Sequence, residues 1–107
     1  METKTQDTLE VIKQQIAEHT LILYMKGTPN HPRCGFSARV VQVLKACGAK
    51  FAHVNILEND VLREELKRYS QWPTFPQLYY KGELIGGCDI VEQLYKTGEL
   101  QKKISQT

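Results

Sequence analysis

The sequence predicts an α/β fold in which helices flank a four-stranded mixed sheet. Three observations support this prediction: helix-like and strand-like segments alternate, a helix separates the first two strands, and a two-residue turn joins the last two. Strands separated by a helix pair in parallel through a right-handed crossover, whereas a two-residue turn makes an antiparallel hairpin. The sheet is therefore expected to contain both kinds of pairing.

The first half of the chain is expected to form two helices and two strands. Leu9, Ile12 and Ile16 recur at helical spacing. A second apolar stripe, in the helix predicted over 34–46, also has helical spacing, and Gly48 ends that helix. The predicted elements are a helix over 6–18, a buried strand over 21–26, a helix over 34–46 with its stripe at Val40, Val41, Val43 and Leu44, and a strand over 51–56.

The second half is expected to form two further helices, a hairpin and a short helical tail. Asn59 or Asp60 can cap the third helix, whose predicted apolar face is Leu62, Leu66 and Tyr69. The segment 72–76, rich in proline, ends that helix. The remaining elements are strands over 77–80 and 83–85 joined by Lys81-Gly82, and a helix over 89–97 ended by Gly98.

Composition sets limits on function and location. The 107 residues carry 41% apolar side chains and a net charge of +2, which is typical of one soluble domain and gives no case for nucleic acid or a membrane as the main partner. Three cysteines, an odd number, argue against a disulfide framework and favour a reducing compartment. Since no signal peptide is apparent, we expect one domain over 1–107, located in the cytoplasm or, as a mature form, in an organelle matrix.

Cys34 is the principal candidate for chemistry. A Gly/Pro loop over 26–33 places Cys34 at the start of a predicted helix, where unpaired N–H groups favour the thiolate. Lys26, at the end of the first predicted strand, is expected to come close and favour the thiolate further. The alternative is a half-buried, inert cysteine. Ser37 stands where a C-x-x-C motif has its second cysteine, so a partner must supply any second sulfur. Ser37 itself has two compatible interpretations, as a first-turn residue that satisfies a backbone N–H and as the mark of a lost resolving cysteine.

Three further sites are candidates for binding. Pro76, after a helix-breaking segment, is either an ordinary trans proline or a cis proline that turns the Phe75 backbone outward to pair with an extended peptide. The segment 86–89 is either a tight turn or a place where backbone N–H groups bind a carboxylate. Arg63 and Lys67 share a helix face that either binds a carboxylate or is solvated, with Glu64 and Arg68 as a surface pair.

The other cysteines and the histidines show no metal-binding pattern. Cys47 follows the apolar stripe and is interpreted as structural, and Cys88 as a packed small residue. The three histidines lack ligand spacing with one another or with the cysteines, which argues against a structural zinc site.

Taken together, these motifs closely resemble a monothiol glutaredoxin of the C-G-F-S type. The likeness covers about 8–104 and rests on four segments in the family's order: Lys26-Gly27-Thr28-Pro29, Cys34-Gly35-Phe36-Ser37, Trp72-Pro73-Thr74-Phe75-Pro76-Gln77 and Gly86-Gly87-Cys88-Asp89. The resemblance implies the thioredoxin fold and a cis bond at Pro76. It assigns no role to His31 or Arg33, which are not part of the family's pattern.

The resemblance also implies a glutathione site. Lys26, Arg63 and Lys67 would neutralise one carboxylate of the tripeptide, and the Phe75 backbone, turned out by Pro76, would pair with its peptide groups. The backbone N–H groups of Cys88 and Asp89, with the Asp89 carboxylate, would hold the other end. Thr74 would line the same groove.

A second implied cofactor is a [2Fe–2S] cluster, which needs four ligands. Cys34 and the thiolate of bound glutathione would supply two, so a homodimer would supply four. The implied role is a cluster carrier in iron–sulfur assembly or iron homeostasis that serves iron–sulfur apo-proteins, with a BolA-like protein as a further partner. The alternative is a glutathione-dependent thiol–disulfide oxidoreductase that acts through Cys34. A third hypothesis, a non-redox interaction module, would leave the groove without a purpose.

Overall fold

The structure, a computed structural model, describes residues 4–105. Helices and strands alternate in the order that the sequence predicts. The elements are α1 (Lys4–Glu18), β1 (Leu21–Met25), β2 (Gly27–Thr28), β3 (His31–Pro32), α2 (Gly35–Ala46), β4 (Ala52–Asn55), a 3-10 helix (Ile56–Glu58), α3 (Asp60–Ser70), β5 (Gln77–Tyr80), β6 (Glu83–Gly86), α4 (Cys88–Thr97) and α5 (Glu99–Ser105).

The main sheet has four strands in the order β4-β1-β5-β6. Strand β1 pairs in parallel with β4, with Ile22 opposite Ala52, and antiparallel with β5. Strands β5 and β6 form the predicted hairpin, and both turn residues, Lys81 and Gly82, have positive φ, at 50° and 87°. Positive φ at both positions is what a two-residue hairpin turn requires. The mixed four-stranded sheet is therefore confirmed.

Alternate side chains of β1 enter two separate hydrophobic cores. Leu21, Leu23 and Met25 join a cluster that includes buried residues of α2 and α4. Ile22 and Tyr24 point to the opposite face and join a cluster with buried residues of α1 and α3. All four predicted apolar positions of α2 are buried, namely Val40, Val41, Val43 and Leu44. The helices therefore cover both faces of the sheet.

The sequence analysis was wrong about one apolar position and missed two short elements. Leu62 and Leu66 are buried as predicted, but Tyr69 is 38% exposed and lies at the margin of the buried face. The two-stranded ribbon of β2 and β3 and the 3-10 helix were not predicted. Each comprises only two or three residues per segment, too few to show a periodicity.

The candidate site lies where β1 and β4 end. Since the two strands are parallel, their carboxyl ends lie at the same edge of the sheet. Asn55, at the end of β4, ties the two exits together: its Oδ1 accepts from the Gly27 N–H at 2.9 Å and from the Leu57 N–H at 3.0 Å. Within residues 4–105, no helix is long and apolar enough to cross a membrane.

Candidate functional site

Cys34 occupies the N-cap position of α2, in extended backbone conformation with φ −152° and ψ 137°. The loop before it is folded back, because the Arg33 N–H donates to the Lys26 carbonyl at 2.9 Å. Gly27 makes this fold possible: its φ is +93°, and a Cβ there would lie 2.5 Å from the His31 carbonyl oxygen. The sequence prediction that Cys34 begins a helix is confirmed.

The surroundings of Cys34 favour its thiolate. The side chain is partly exposed, and burial by itself raises the pKa of the thiol. Interactions with the main-chain N–H groups of Ser37 and Phe36 lower it, as these belong to the first turn of α2, whose N–H groups have no helical partner. The Lys26 ammonium and the Ser37 hydroxyl lower it further. The net result is a pKa below the ordinary value of 9.0.

The Ser37 side chain is an internal, hydrogen-bonded group and does not lie on the surface of the first helical turn. Its side chain is fully buried, and its Oγ accepts a hydrogen bond from the Lys26 N–H at 3.1 Å. The predicted interpretation that Ser37 satisfies a backbone N–H is confirmed, but the N–H belongs to the residue after β1 and not to α2. The hydroxyl therefore links the end of β1 to the helix that carries the thiol.

The start of α2, with Cys34, forms the first wall of the site, and a loop over 72–76 forms the second. The Phe75–Pro76 peptide bond is cis, as the resemblance implied. The described residues form no hydrogen bond with the Phe75 main chain. The Trp72 Nε1 atom is also buried and has no hydrogen-bond partner among these residues. Unpaired donors and acceptors at one wall of a cleft are suited to binding a polar ligand.

The third wall is the start of α4. Gly87 is its N-cap, so the N–H groups of Cys88 and Asp89 are the first of the helix, as predicted. A Cβ on Gly87 would lie 3.3 Å from the Pro76 carbonyl oxygen and 3.4 Å from Trp72 Nε1. Close packing of the second and third walls thus depends on the absence of a side chain at Gly87.

Arg63 and Lys67 line the cleft from α3. Arg63 lies 3.5 Å from Asp60 and 3.7 Å from Glu64, and Lys67 lies 3.2 Å from Glu64. The sequence-based pairing of Glu64 with Arg68 is wrong: Glu64 turns towards the two cleft cations, and Arg68 pairs instead with Glu65. The buried Arg63 Nε forms no hydrogen bond with the described residues and lies 3.7 Å from Glu64 Oε2.

These walls enclose a cleft of about 490 Å³, a size typical of small-molecule sites. All nine residues predicted as site residues line it: Cys34, Lys26, Arg63, Lys67, Thr74, Phe75, Pro76, Cys88 and Asp89. The sequence analysis did not name five further lining residues as site residues: Phe36, Trp72, Pro73, Gly87 and Ile90. Four of the five lie inside the quoted motifs, and that position in the motifs was the available signal. Ile90 directly follows the last motif.

The other two cysteines differ from Cys34. Cys47 is partly buried against the first core cluster and Cys88 is buried, and burial raises the pKa of both thiols. Donor atoms of Cys88, Asp89 and Glu92 lie within 4.8 Å of one another. Arg39 lies 3.9 Å from Glu92, and its positive charge disfavours a metal cation there. Among the described cysteines, the activated thiol is therefore Cys34.

The chain is similar to known proteins over most of its length. Residues 21–85 match the family model described as Glutaredoxin. Over 100 residues the chain is 58% identical to Glutaredoxin 4 of Escherichia coli strain K12, covering 94% of this chain and 87% of that protein.

Two solved structures share the fold. The solution structure of reduced poplar apo GrxS14 is 50% identical, with a TM-score of 0.82, and the match covers 97% of this chain and 96% of that one. The crystal structure of a buckwheat glutaredoxin–glutathione complex has a TM-score of 0.85 at 22% identity, covering 98% and 96%, so that likeness is one of fold alone. The expected thioredoxin fold is confirmed.

Proposed function

From the premise that this chain belongs to the glutaredoxin family, as a monothiol member with Cys34-Gly35-Phe36-Ser37, we propose that it binds glutathione and carries [2Fe–2S] clusters. The observation that carries the proposal is the position of Cys34. A partly exposed thiol of lowered pKa opens into a cleft that offers cations and unpaired backbone groups for a small peptide.

The residues of the cleft fit glutathione by chemical type. The tripeptide has a carboxylate at each end and two peptide groups between them. Arg63 and Lys67 at one side of the cleft suit one carboxylate, and the first N–H groups of α4 suit the other. The Phe75 main chain, which forms no hydrogen bond with the described residues, suits the peptide groups. A buckwheat glutaredoxin that shares the fold has been solved as a complex with glutathione.

The number of thiolates supports a shared cluster. A [2Fe–2S] cluster takes four ligands, commonly thiolates. Cys34 provides one. Cys47 does not line the cleft, and burial raises the pKa of the Cys88 thiol, so both are poorer ligands than Cys34. Glutathione held beside Cys34 provides a second. Two such halves complete the set, so the loaded species is a homodimer in which half of the cluster ligands are exchangeable.

Exchangeable ligands suit a carrier rather than a resident redox centre. We therefore propose iron–sulfur apo-proteins as recipients and a BolA-like protein as an alternative partner for one half-site. The proposed compartment is the cytoplasm or an organelle matrix, where glutathione keeps thiols reduced. The single glutaredoxin domain over 1–107 stays a prediction.

Anaerobic reconstitution tests the carrier function. The full chain is incubated with glutathione, ferric iron and sulfide, and the visible spectrum and the native mass are recorded. The expected result is a coloured dimer that contains two glutathione molecules. Cys34→Ser should give a colourless monomer, whereas the matched control Cys47→Ser should behave as the wild type. A coloured Cys34→Ser dimer, or a colourless wild type, would contradict the proposal.

The lowered pKa of Cys34 also favours a second function, glutathione-dependent deglutathionylation. The Cys34 thiolate attacks the glutathione sulfur of a mixed disulfide and releases the protein thiolate. A second glutathione thiolate then attacks the Cys34–glutathione disulfide, which yields glutathione disulfide and restores Cys34. Turnover of a glutathionylated test protein by a colourless monomer would favour this function over the carrier.

A further inference from the structure

Gln77 is a polar side chain with no exposure to solvent, at the first position of β5. Burying an amide is unfavourable unless its hydrogen-bonding groups find partners. Neither the activation of Cys34 nor the lining of the cleft uses Gln77, because its side chain lies behind the cleft wall. Its position calls for a different role.

The Gln77 amide is held by three hydrogen bonds. Nε2 donates to the Trp72 carbonyl at 3.0 Å and to the Thr74 carbonyl at 3.2 Å, which uses both amide protons. Oε1 accepts from the Tyr79 hydroxyl at 3.0 Å. Two carbonyls on one side and a hydroxyl donor on the other allow only one orientation of the amide. Gln77 therefore fixes the backbone of the loop over 72–76 from inside the protein.

Tyr79 is well suited to orient that amide. It is 2% exposed, and its ring packs edge-on against Tyr24 with the centroids 5.7 Å apart. Positions 77 and 79 lie on the same face of β5, so the hydroxyl can reach Gln77. Burial raises the pKa of Tyr79 to about 12, so the hydroxyl remains a donor at neutral pH.

We infer that Gln77 and Tyr79 are positioning residues for the tripeptide: the Tyr79 hydroxyl orients the Gln77 amide, which holds the loop over 72–76 in its binding shape. Neither side chain touches the ligand. Their effect on binding passes through the Trp72 and Thr74 carbonyls, which belong to the loop that leads to Phe75. This inference rests on the proposed binding of glutathione.

The fold supplies a matched control. Tyr24 lies in the same cluster and also donates a buried hydroxyl, but its acceptor is Gln15 Oε1 at 2.8 Å, on α1. Tyr79→Phe and Tyr24→Phe therefore remove the same atom from neighbouring rings. Tyr79→Phe removes the hydrogen bond to Gln77, which contacts the loop over 72–76. Tyr24→Phe removes the hydrogen bond to Gln15, which lies on α1.

The test compares the affinity of the two variants for reduced glutathione under argon by calorimetry, with thermal unfolding as a check on the fold. Tyr79→Phe is expected to weaken binding by about threefold to tenfold, the factor for one lost hydrogen bond, and Tyr24→Phe by less than about twofold. Gln77→Met should weaken binding further. Adding Tyr79→Phe to Gln77→Met should weaken it no more, since both act through one chain of contacts. If Gln77→Met does not fold, the tyrosine pair decides the matter alone.

A second readout needs no ligand. Amide hydrogen exchange of Trp72, whose N–H donates to the Ser70 hydroxyl at 3.1 Å, should become faster in Tyr79→Phe and remain unchanged in Tyr24→Phe. The emission of this single tryptophan should follow the same pattern. Equal effects of the two tyrosine variants on affinity and exchange would overturn the inference while the proposed function stands. A wild type that does not bind glutathione would overturn both.

Discussion

The Ser37 hydroxyl oxygen lies 3.1 Å from the main-chain nitrogen of Lys26 and accepts its hydrogen bond. The bond joins the first turn of α2 to the residue that follows β1. The same hydroxyl also lowers the pKa of Cys34. The Ser37 side chain therefore holds in place the loop before Cys34 and also favours ionisation of the Cys34 thiol. These two roles explain the serine of the C-G-F-S motif in structural terms.

Ser37→Ala should raise the pKa of Cys34 and destabilise the fold. The variant removes a hydroxyl that favours the thiolate and leaves the buried Lys26 N–H without a partner, a loss of about 1–3 kcal/mol. Alkylation of Cys34 by iodoacetamide at neutral pH should be slower than in the wild type. Ser105→Ala, at the exposed end of α5, is the control and should change neither quantity. Unchanged alkylation in Ser37→Ala would show that its hydroxyl does not act on the thiol.

Lys26→Gln should raise the pKa of Cys34 without a large loss of stability. The ammonium lowers the pKa through charge, and an amide of similar length keeps the packing of the stem. The pH profile of thiolate absorbance should shift upwards, and added salt should reduce the difference from the wild type. Lys45→Gln, in the last turn of α2, removes the same charge far from the thiol. A shift of equal size in both variants would refute a local effect of Lys26.

The lowered pKa of Cys34 also predicts how its contribution to stability varies with pH. Because the folded-state pKa lies below the unfolded value, the thiolate stabilises the fold. This contribution is complete above the unfolded pKa and is lost as the pH falls through the folded pKa. The difference in unfolding free energy between the wild type and Cys34→Ser should therefore be larger at about pH 10 than at about pH 6. Urea unfolding at both pH values measures it, and a pH-independent difference would argue against a stabilised thiolate.

Gly27→Ala should disrupt the site, whereas Gly48→Ala should cost only backbone strain. Both glycines have positive φ, at 93° and 69°. A Cβ at Gly48 meets no atom within 4 Å, so we expect a loss of about 1–2 kcal/mol there. At Gly27 the Cβ collides with the backbone of His31 and Arg33, so the loop must move, and the loss should be larger. Thermal unfolding and Cys34 alkylation test this, and equal losses in both variants would contradict the clash.

Most of the fold could be predicted because its long elements have clear periodicity. Apolar spacing predicted α1, α2 and α3, and Lys81-Gly82 predicted the hairpin. Tyr69 was misplaced, since a helical pattern with few apolar residues does not determine how far the buried face extends. The β2–β3 ribbon depends on the conformation of Gly27 and on long-range hydrogen bonds, neither of which a short polar segment reveals.

The walls of the site could be predicted from motifs, but the contacts behind them could not. The residues that line the cleft lie in short segments of characteristic composition. Asn55, which binds the N–H groups of Gly27 and Leu57, lies in no such segment and has no apolar pattern to mark it. The burial of Gln77 was equally hidden, because a glutamine at the start of a strand is ordinarily exposed.

The short outer strands of the sheet constrain how two molecules can associate. Strands β4 and β6 lie at the two borders and have four residues each, and the pairing of β5 with β6 is interrupted by an irregularity between Leu78 and Tyr79. Borders this short offer few backbone groups for extending the sheet into a neighbouring molecule. In the proposed dimer, most contacts between the two molecules would therefore come from side chains and from ligands bound in the cleft. Such a dimer would separate when the proposed cluster leaves.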